Sequence, residues 1–264
     1  MVIRYLDPRI YLAFKRVFIE HPDLLKSFLN ALLPLPDDGL IDSLEYLTPA
    51  QVPEVPGLFK NSIVDVKCKD SQGRTFIVEM QMLWSASFAQ RILFSASQAY
   101  VKQLRSGQDY SSLQPVYVLA LTNQVFDHES EQYYHHYKIV NLQPPQRVFK
   151  GLEFVFIEIP KFKPQSSTDR RMQAMWLRFL SEVGDNGPEP AADLKEDQSI
   201  QAALKLAEVA AYSEAGIEAY HSHMDKARIE STVIADAEEK GRAKGIAQMI
   251  RAMRASGMRT EQIS

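Results

Sequence analysis

Hydrophobic residues recur every three to four positions along several parts of the chain, which is the spacing of amphipathic helices. The first such segment spans residues 9–33, where Pro22 divides the pattern and predicts two successive helices. Residues 88–104 and 169–183 carry the same spacing. Residues 200–256 contain no proline and are rich in Ala, Glu, Lys, Arg and Met, so we expect them to be helical throughout.

Other segments have the pattern of β-strands. Residues 62–82 form two strand-like runs around a turn, which predicts a hairpin, and residues 115–123 are almost wholly apolar, which indicates a strand buried on both faces. Residues 133–142 and 152–160 alternate as two further strands, and a short strand is predicted at 43–47. This order of helices and strands predicts a mixed α/β layer structure.

The polar, proline-rich stretch 185–199 is the best linker candidate. We therefore predict a domain over residues 1–184, a linker over 185–199 and a helical C-terminal region over 200–264. Within that region Gly241 and Gly245 lie four residues apart, although each glycine costs about 1 kcal/mol in a helix interior. Close approach of another helix and a hinge or helix end both explain the pair.

The turn of the predicted hairpin determines which side chains meet. Ser71-Gln72-Gly73 fits a three-residue loop in which Gly73 adopts a left-handed conformation. Pairing of Asp70 with Arg74 then places Asp65 directly opposite Glu79. A two-residue loop would place these two acids on opposite faces of the hairpin, so the acid pair depends on the turn.

The two faces of the hairpin differ in character. On the acidic face, directly opposed carboxylates repel, and solvent exposure, a neighbouring cation such as Lys67 or a bound divalent metal would each relieve the repulsion. The pattern leaves these alternatives open. We expect the predicted helix over 88–104 to cover the other face, which is uniformly apolar and carries Val64, Val66, Cys68, Phe76, Val78 and Met80.

Composition narrows the classes of function. The chain has 264 residues, of which 45% are hydrophobic, which is enough for a sizeable core. Cys68 is the sole cysteine, which excludes a disulfide framework or a thiolate zinc site. The net charge of −3 gives no global attraction to nucleic acid. No signal-peptide pattern is present and the longest apolar run, 116–121, is too short for a membrane span, so we expect a cytoplasmic protein.

An aspartate on one strand followed by Glu-x-Gln on the next, here Asp65 and Glu79-Met80-Gln81, resembles the PD-(D/E)XK nuclease motif. The chain as a whole resembles the bacterial Rpn family of recombination-promoting nucleases and transposases. This resemblance implies a restriction-endonuclease-like α/β core, a mixed sheet flanked by helices, with a helical C-terminal extension. The stretches that carry it are YLDPRIYLAFKRVF, IVDVKCKDSQGRTFIVEMQM, FAQRILFSASQAYVKQL, PVYVLALTN, GLEFVFIEIPKF and EEKGRAKG.

The resemblance also implies a chemistry, the metal-dependent cleavage of DNA with low sequence specificity, linked to recombination, transposition or phage defence. Asp65 and Glu79 would hold Mg²⁺, with Mn²⁺ or Ca²⁺ as alternatives, and the main-chain carbonyl of Met80 would be a third ligand. Gln81 stands where many nucleases have the lysine that orients the attacking water, and Lys67 would supply the missing positive charge.

Lys15 and Arg91 are candidates for contacts with DNA phosphates, although a solvated role for Lys15 is nearly as plausible from its position. Tyr11 is a departure from the family, which usually has an acid at this position. This departure and Gln81 support an alternative, a catalytically weakened DNA- or protein-binding module regulated through its C-terminal helices. A third hypothesis is an interaction protein centred on residues 200–256. In the nuclease hypothesis these helices mediate self-association or regulation.

Overall fold

The computed structural model of the protein describes residues 4–48, 50–51, 62–85, 87–144, 147–164, 171–185, 187 and 189–255. Its helices are α1 (Tyr11–Phe14), which continues into a π-helical turn (Lys15–Ile19), α2 (Pro22–Leu32), α3 (Phe88–Val101), α4 (Arg171–Glu182), α5 (Ala192–Glu196), α6 (Gln198–Ala207) and α7 (Glu214–Ala255). Pro22 is the first residue of α2, which confirms the two predicted helices at the start of the chain.

The strands are β1 (Leu44–Tyr46), β2 (Ala50–Gln51), β3 (Ser62–Ile63), β4 (Val66–Asp70), β5 (Thr75–Gln81), β6 (Val116–Thr122), β7 (Tyr134–Val140) and β8 (Val148–Glu158). Six of them form one mixed sheet in the order β1-β4-β5-β6-β8-β7. Strands β5, β6 and β8 are parallel to one another, and the remaining neighbours in this sheet are antiparallel. A separate antiparallel pair, β2 with β3, joins residues 50–51 to residues 62–63.

Helices cover both faces of the sheet, and the larger core lies on the face formed by the apolar side of the hairpin. There Val66, Cys68, Phe76 and Val78 pack with residues of α1, α2, α4 and α6, including the fully buried Trp176. The prediction that residues 88–104 cover this face was therefore wrong. Helix α3 lies on the opposite face.

The smaller core lies under α3, which connects the parallel strands β5 and β6 and therefore crosses one side of the sheet. Phe88, Ile92 and Ala96 of α3 pack there against Ile77 and Val118. Val64, which precedes β4, also packs in this core rather than on the face predicted for it. The acidic face of the hairpin is thus the face beside α3.

The predicted C-terminal helical region is interrupted at residues 208–213. Helix α6 ends at Ala207 and α7 begins at Glu214, with one 3₁₀ turn between them. The interruption pairs with the start of the chain, since Tyr5 and Glu208 form an antiparallel bridge and the N–H of Val209 donates to the carbonyl of Arg4. The expectation of continuous helix was wrong at this point.

Contacts divide the chain into two compact units, residues 1–220 and 221–264. The first unit includes the predicted linker, in which α5 forms and Leu194 is fully buried. Whether residues 1–184 fold without the rest of the chain stays a prediction. In the second unit a Cβ added at Gly241 or Gly245 would meet no described atom within 4 Å. No helix in the described parts of the chain is long and apolar enough to cross a membrane.

Candidate active site

The hairpin between β4 and β5 has the predicted register. Gly73 adopts a φ of +84°, and the N–H of Asp70 donates to the carbonyl of Arg74 across the turn. The guanidinium of Arg74 forms a buried ion pair with Asp70, with Nη2 2.6 Å from Oδ2, and so fixes the turn from inside. Val66 pairs with Val78 at the last position of the ladder, and Asp65 and Glu79 are the next residues beyond it on the two sides of the hairpin.

The two carboxylates reach across to each other's strand. Oε2 of Glu79 accepts a hydrogen bond from the N–H of Asp65 at 3.2 Å, and Oδ2 of Asp65 accepts one from the N–H of Met80 at 2.7 Å. Glu79 is buried, with 7% of its surface exposed, and Asp65 is half-buried. The solvent-exposed alternative does not hold for the acid pair, because Glu79 is withdrawn from solvent and Asp65 is partly so.

Burial makes the acid pair electrostatically unfavourable. Loss of solvent raises the pKa of Asp65, and the hydrogen bond from Met80 and the charge of Arg91 lower it only in part. Loss of solvent also raises the pKa of Glu79, and repulsion by Asp65 raises it further. When both carboxylates are ionised, the pair therefore carries more negative charge than its surroundings balance.

Arg91 is the cation that the structure brings to the acids. Its Nη2 lies 3.4 Å from Oε1 of Glu79 and donates to Oε1 of Gln81 at 2.7 Å, although 47% of its side chain is exposed. The other end of the Gln81 amide donates to the carbonyl of Leu83 at 2.6 Å. Both polar atoms of the Gln81 amide are thus hydrogen-bonded, and its oxygen positions Arg91 beside Glu79.

Lys67 pairs with Ile77 and so lies on the predicted face of the hairpin. Burial lowers the pKa of Lys67, and the charge of Lys102 lowers it further, whereas Arg91 is the cation whose charge lowers the pKa of both acids. Lys15 is exposed at the start of the π-helical turn. No described contact brings Lys67 or Lys15 to the acid pair.

The donor set fits a hard divalent cation. Asp65 and Glu79 provide two carboxylate ligands. Among the described residues no group of three or more His, Cys, Asp or Glu side chains could hold a metal. Mg²⁺ suits such a set, because it keeps several waters and is usually bound by one or two carboxylates together with substrate phosphate. Burial raises the pKa of both acids, and a divalent cation bound between them would favour their charged forms.

Sequence reasoning missed a support at the edge of this site. Nη1 of Arg9 donates to the side-chain oxygen of Asn123 at 2.7 Å, and the N–H of Asn123 donates to the carbonyl of Gln81 at 3.0 Å. Asp7 holds Arg9 through an ion pair of 2.6 Å. These residues lie in YLDPRIYLAFKRVF and PVYVLALTN, two of the stretches that carry the family resemblance, and that is the signal that would have found them.

A mixed sheet with a parallel β5-α3-β6 unit and two acids meeting on the hairpin beside it defines an α/β protein of the PD-(D/E)XK nuclease class. The family model described as PD-(D/E)XK nuclease family transposase matches residues 8–237, and the chain belongs to this family. The assignment confirms the resemblance and the predicted fold class, and it supports a nuclease-type function. No curated protein and no solved structure is detectably similar to the chain.

Proposed function

We propose that this protein is a metal-dependent DNA endonuclease of low sequence specificity, whose centre is the pair Asp65 and Glu79. The observation that supports this most strongly is the burial of both carboxylates on one face of the hairpin, with a pKa raised in each and a half-exposed Arg91 as the neighbouring cation. A buried, undercompensated acid pair is costly, and a divalent cation removes that cost.

Each residue has a proposed part in hydrolysis. Asp65 and Glu79, with the carbonyl of Met80, hold Mg²⁺, and Mn²⁺ or Ca²⁺ are the alternatives to test. When bound, the metal supplies a Lewis acid and lowers the pKa of a coordinated water. Gln81 orients the attacking water or keeps Arg91 in place, and Arg91 contributes the positive charge next to the phosphate.

DNA is the proposed substrate, with Arg91 and Lys15 contacting its phosphates. Lys67 stays a candidate for a catalytic charge, although the described contacts favour Arg91 in that part. Recombination, transposition and phage defence all require cleavage of phosphodiester bonds, and the proposal covers each of them.

A plasmid-nicking assay tests the proposal in Mg²⁺, Mn²⁺, Ca²⁺ and EDTA. We expect nicking that requires a divalent metal and falls by about 100-fold or more in Asp65→Ala and in Glu79→Ala. Glu45→Ala is the matched control, because Glu45 is an exposed acid on β1. Undiminished nicking in both site variants would exclude this centre.

A catalytically weakened binding module is the second candidate. It is favoured by Tyr11, which stands 43% exposed at the start of α1 where the family usually has an acid. This candidate predicts DNA binding without cleavage and no effect of metal chelation. Tyr11→Asp then separates the two, because a restored acid should raise nicking in a weakened enzyme and leave a pure binding module inactive.

We also propose that α7 mediates self-association. The helix has 42 residues, and its large apolar side chains Ile229, Val233, Ile246 and Met249 are between 46% and 64% exposed. Exposed apolar residues along one long helix favour pairing with another helix. Sedimentation of the full chain beside the double variant Ile229→Asn, Val233→Asn tests self-association. A monomeric wild-type protein would contradict the proposal.

A further inference from the structure

A cleft of about 410 Å³ lies beside α3, on the same face of the sheet as the acid pair. Five of its seven lining residues are aromatic and none is charged. Tyr137 and Leu93 at this cleft are 50% and 51% exposed, so the cleft is open to solvent. The lining residues are Trp84, Ala89, Leu93, Phe126, Tyr137, Phe154 and Phe156.

The wall of the cleft is held in place by contacts behind it. Trp84 stacks on Phe126 with ring centroids 4.3 Å apart and planes 19° apart. The N–H of Trp84 donates to the side-chain oxygen of Gln124 at 2.6 Å, and the N–H of Phe126 donates to the buried carboxylate of Glu158. The aromatic surface is therefore preformed, so a ligand that stacks on it pays little to order it.

One buried ring connects the cleft with the acid pair. Phe88, the first residue of α3, lies edge-on to Trp84 with centroids 5.4 Å apart. The guanidinium of Arg91 lies over the same Phe88 ring at 5.1 Å, and Arg91 reaches Glu79. Only the N-terminal end of α3 therefore lies between Arg91 and Trp84. A DNA strand whose phosphate contacts Arg91 can place its next base at Trp84.

We propose that this cleft binds a nucleobase of unpaired DNA next to the phosphate that is cut. This inference rests on the proposed function and names its substrate class as single-stranded, frayed or locally melted DNA. An uncharged aromatic surface binds the flat face of a base and gives a phosphate nothing to pair with. A base inside a duplex is covered on both faces by its neighbours, so it enters the cleft only when it is unpaired or turned out of the helix. Every base has such a face, and low sequence specificity follows.

Binding to full-length protein in EDTA tests the cleft without cleavage. The probes are a short single-stranded oligonucleotide, an abasic strand of equal length and charge, and the matching blunt duplex. We expect the single strand to bind about tenfold more tightly than the abasic strand or the duplex. It should also quench tryptophan fluorescence, since the chain has two tryptophans and Trp176 is fully buried. Equal affinity for all three probes would overturn the inference.

Variants of the rim locate the effect. Tyr137→Ala should weaken binding of the single strand about fivefold and leave the abasic strand unchanged, because only a base stacks in the cleft. Ala89→Phe should have the same selectivity by filling the cleft. Tyr110→Ala is the matched control, since Tyr110 is 82% exposed and lies outside the cleft. An equal loss for both strands in Tyr137→Ala would contradict the inference.

Nicking assays separate this inference from the proposed function. Preference for the single strand without any metal-dependent cleavage supports the cleft and refutes the nuclease proposal. Cleavage that depends on Glu79 but is equal on single strands and duplexes, and unchanged in Tyr137→Ala, supports the nuclease proposal and refutes the cleft.

Discussion

Two buried acidic centres lie on parallel strands of the same sheet, and their electrostatics are opposite. Glu158, the last residue of β8, is fully buried, and its carboxylate accepts hydrogen bonds from the N–H groups of Phe126 and Asp127. It also contacts Nε2 of His135 at 2.9 Å and Nζ of Lys161 at 2.6 Å. Burial raises its pKa, but these partners, Lys161 first, outweigh burial and leave the pKa lowered.

Glu79 is buried and Asp65 half-buried, yet each carboxylate receives one backbone hydrogen bond, and the neighbouring cation is the half-exposed Arg91. Their pKa is raised where that of Glu158 is lowered. Glu158 has more hydrogen-bond donors and cations around its carboxylate than either member of the acid pair. A saturated carboxylate such as Glu158 stabilises the fold, whereas an undercompensated pair has capacity for a further cation.

The largest expected effect is on stability. Glu158→Ala should lower the free energy of unfolding by about 3 kcal/mol, because it leaves Lys161 and two backbone N–H groups without their acceptor. Glu79→Gln should leave the metal-free protein as stable as the wild type or more so. Urea unfolding in EDTA measures both, with Glu45→Ala as the control. Equal losses at Glu79 and Glu158 would abolish the distinction between the two centres.

Metal binding should stabilise the folded protein through the acid pair and not through Glu158. At about 100 times its dissociation constant, Mg²⁺ should raise the free energy of unfolding by about 2.7 kcal/mol. We expect Glu79→Gln to lose this gain and the milder variant Glu158→Gln to keep it, since Glu158 already has its cation in Lys161. Thermal unfolding across a Mg²⁺ titration gives the answer, and an unchanged gain in Glu79→Gln would place the metal elsewhere.

The pH dependence should have opposite signs at the two centres. A raised pKa means that folded Glu79 holds its proton more tightly than the unfolded chain does, so its stabilising contribution is complete below its ordinary pKa and is lost as pH rises. The lowered pKa of Glu158 gives stability above its ordinary pKa, which is lost as pH falls.

In EDTA, Glu79→Gln should therefore gain about 2 kcal/mol relative to the wild type between roughly pH 5 and pH 9. Urea unfolding at three pH values in that range measures the gain. A stability difference between variant and wild type that stays constant with pH would show that Glu79 titrates normally in the folded protein.

The smallest expected effect concerns the cations. Arg91→Gln should slow nicking about fivefold, because it removes the charge 3.4 Å from Glu79, while Lys67→Gln should change the rate less than about twofold. Plasmid nicking at saturating Mg²⁺ compares them. A larger loss of nicking rate in Lys67→Gln than in Arg91→Gln would show that Lys67, as the sequence indicated, supplies the positive charge.

The acid pair was predictable because the signals that produce it are local. The loop Ser71-Gln72-Gly73 sets the register of β4 against β5 within a dozen residues, and the alternation of side chains along these strands determines which of them share a face. The helix that would cover each face was not predictable in this way, since it depends on the crossover direction of α3 and on helices more than a hundred residues away.

The centre at Glu158 escaped sequence analysis for the same reason. IEIP reads as an ordinary strand end, and the N–H groups that bind its carboxylate lie more than thirty residues earlier in the chain. The interruption after α6 likewise depends on a bridge between Tyr5 and Glu208, which no local sequence pattern predicts. Arg91 was predicted as a phosphate contact, but its hydrogen bond to Gln81 depends on how α3 lies against β5.

Gly73 has a consequence for how the acid pair can be lost. It lies at the end of β5 away from Glu79, and its φ of +84° is strained for any residue with a side chain. Inserting or deleting one residue in this loop would turn Asp65 to the other side of the ribbon and leave both acids in the sequence. A relative of this chain can thus lose the acid pair through its turn alone, while every residue of the motif stays unchanged.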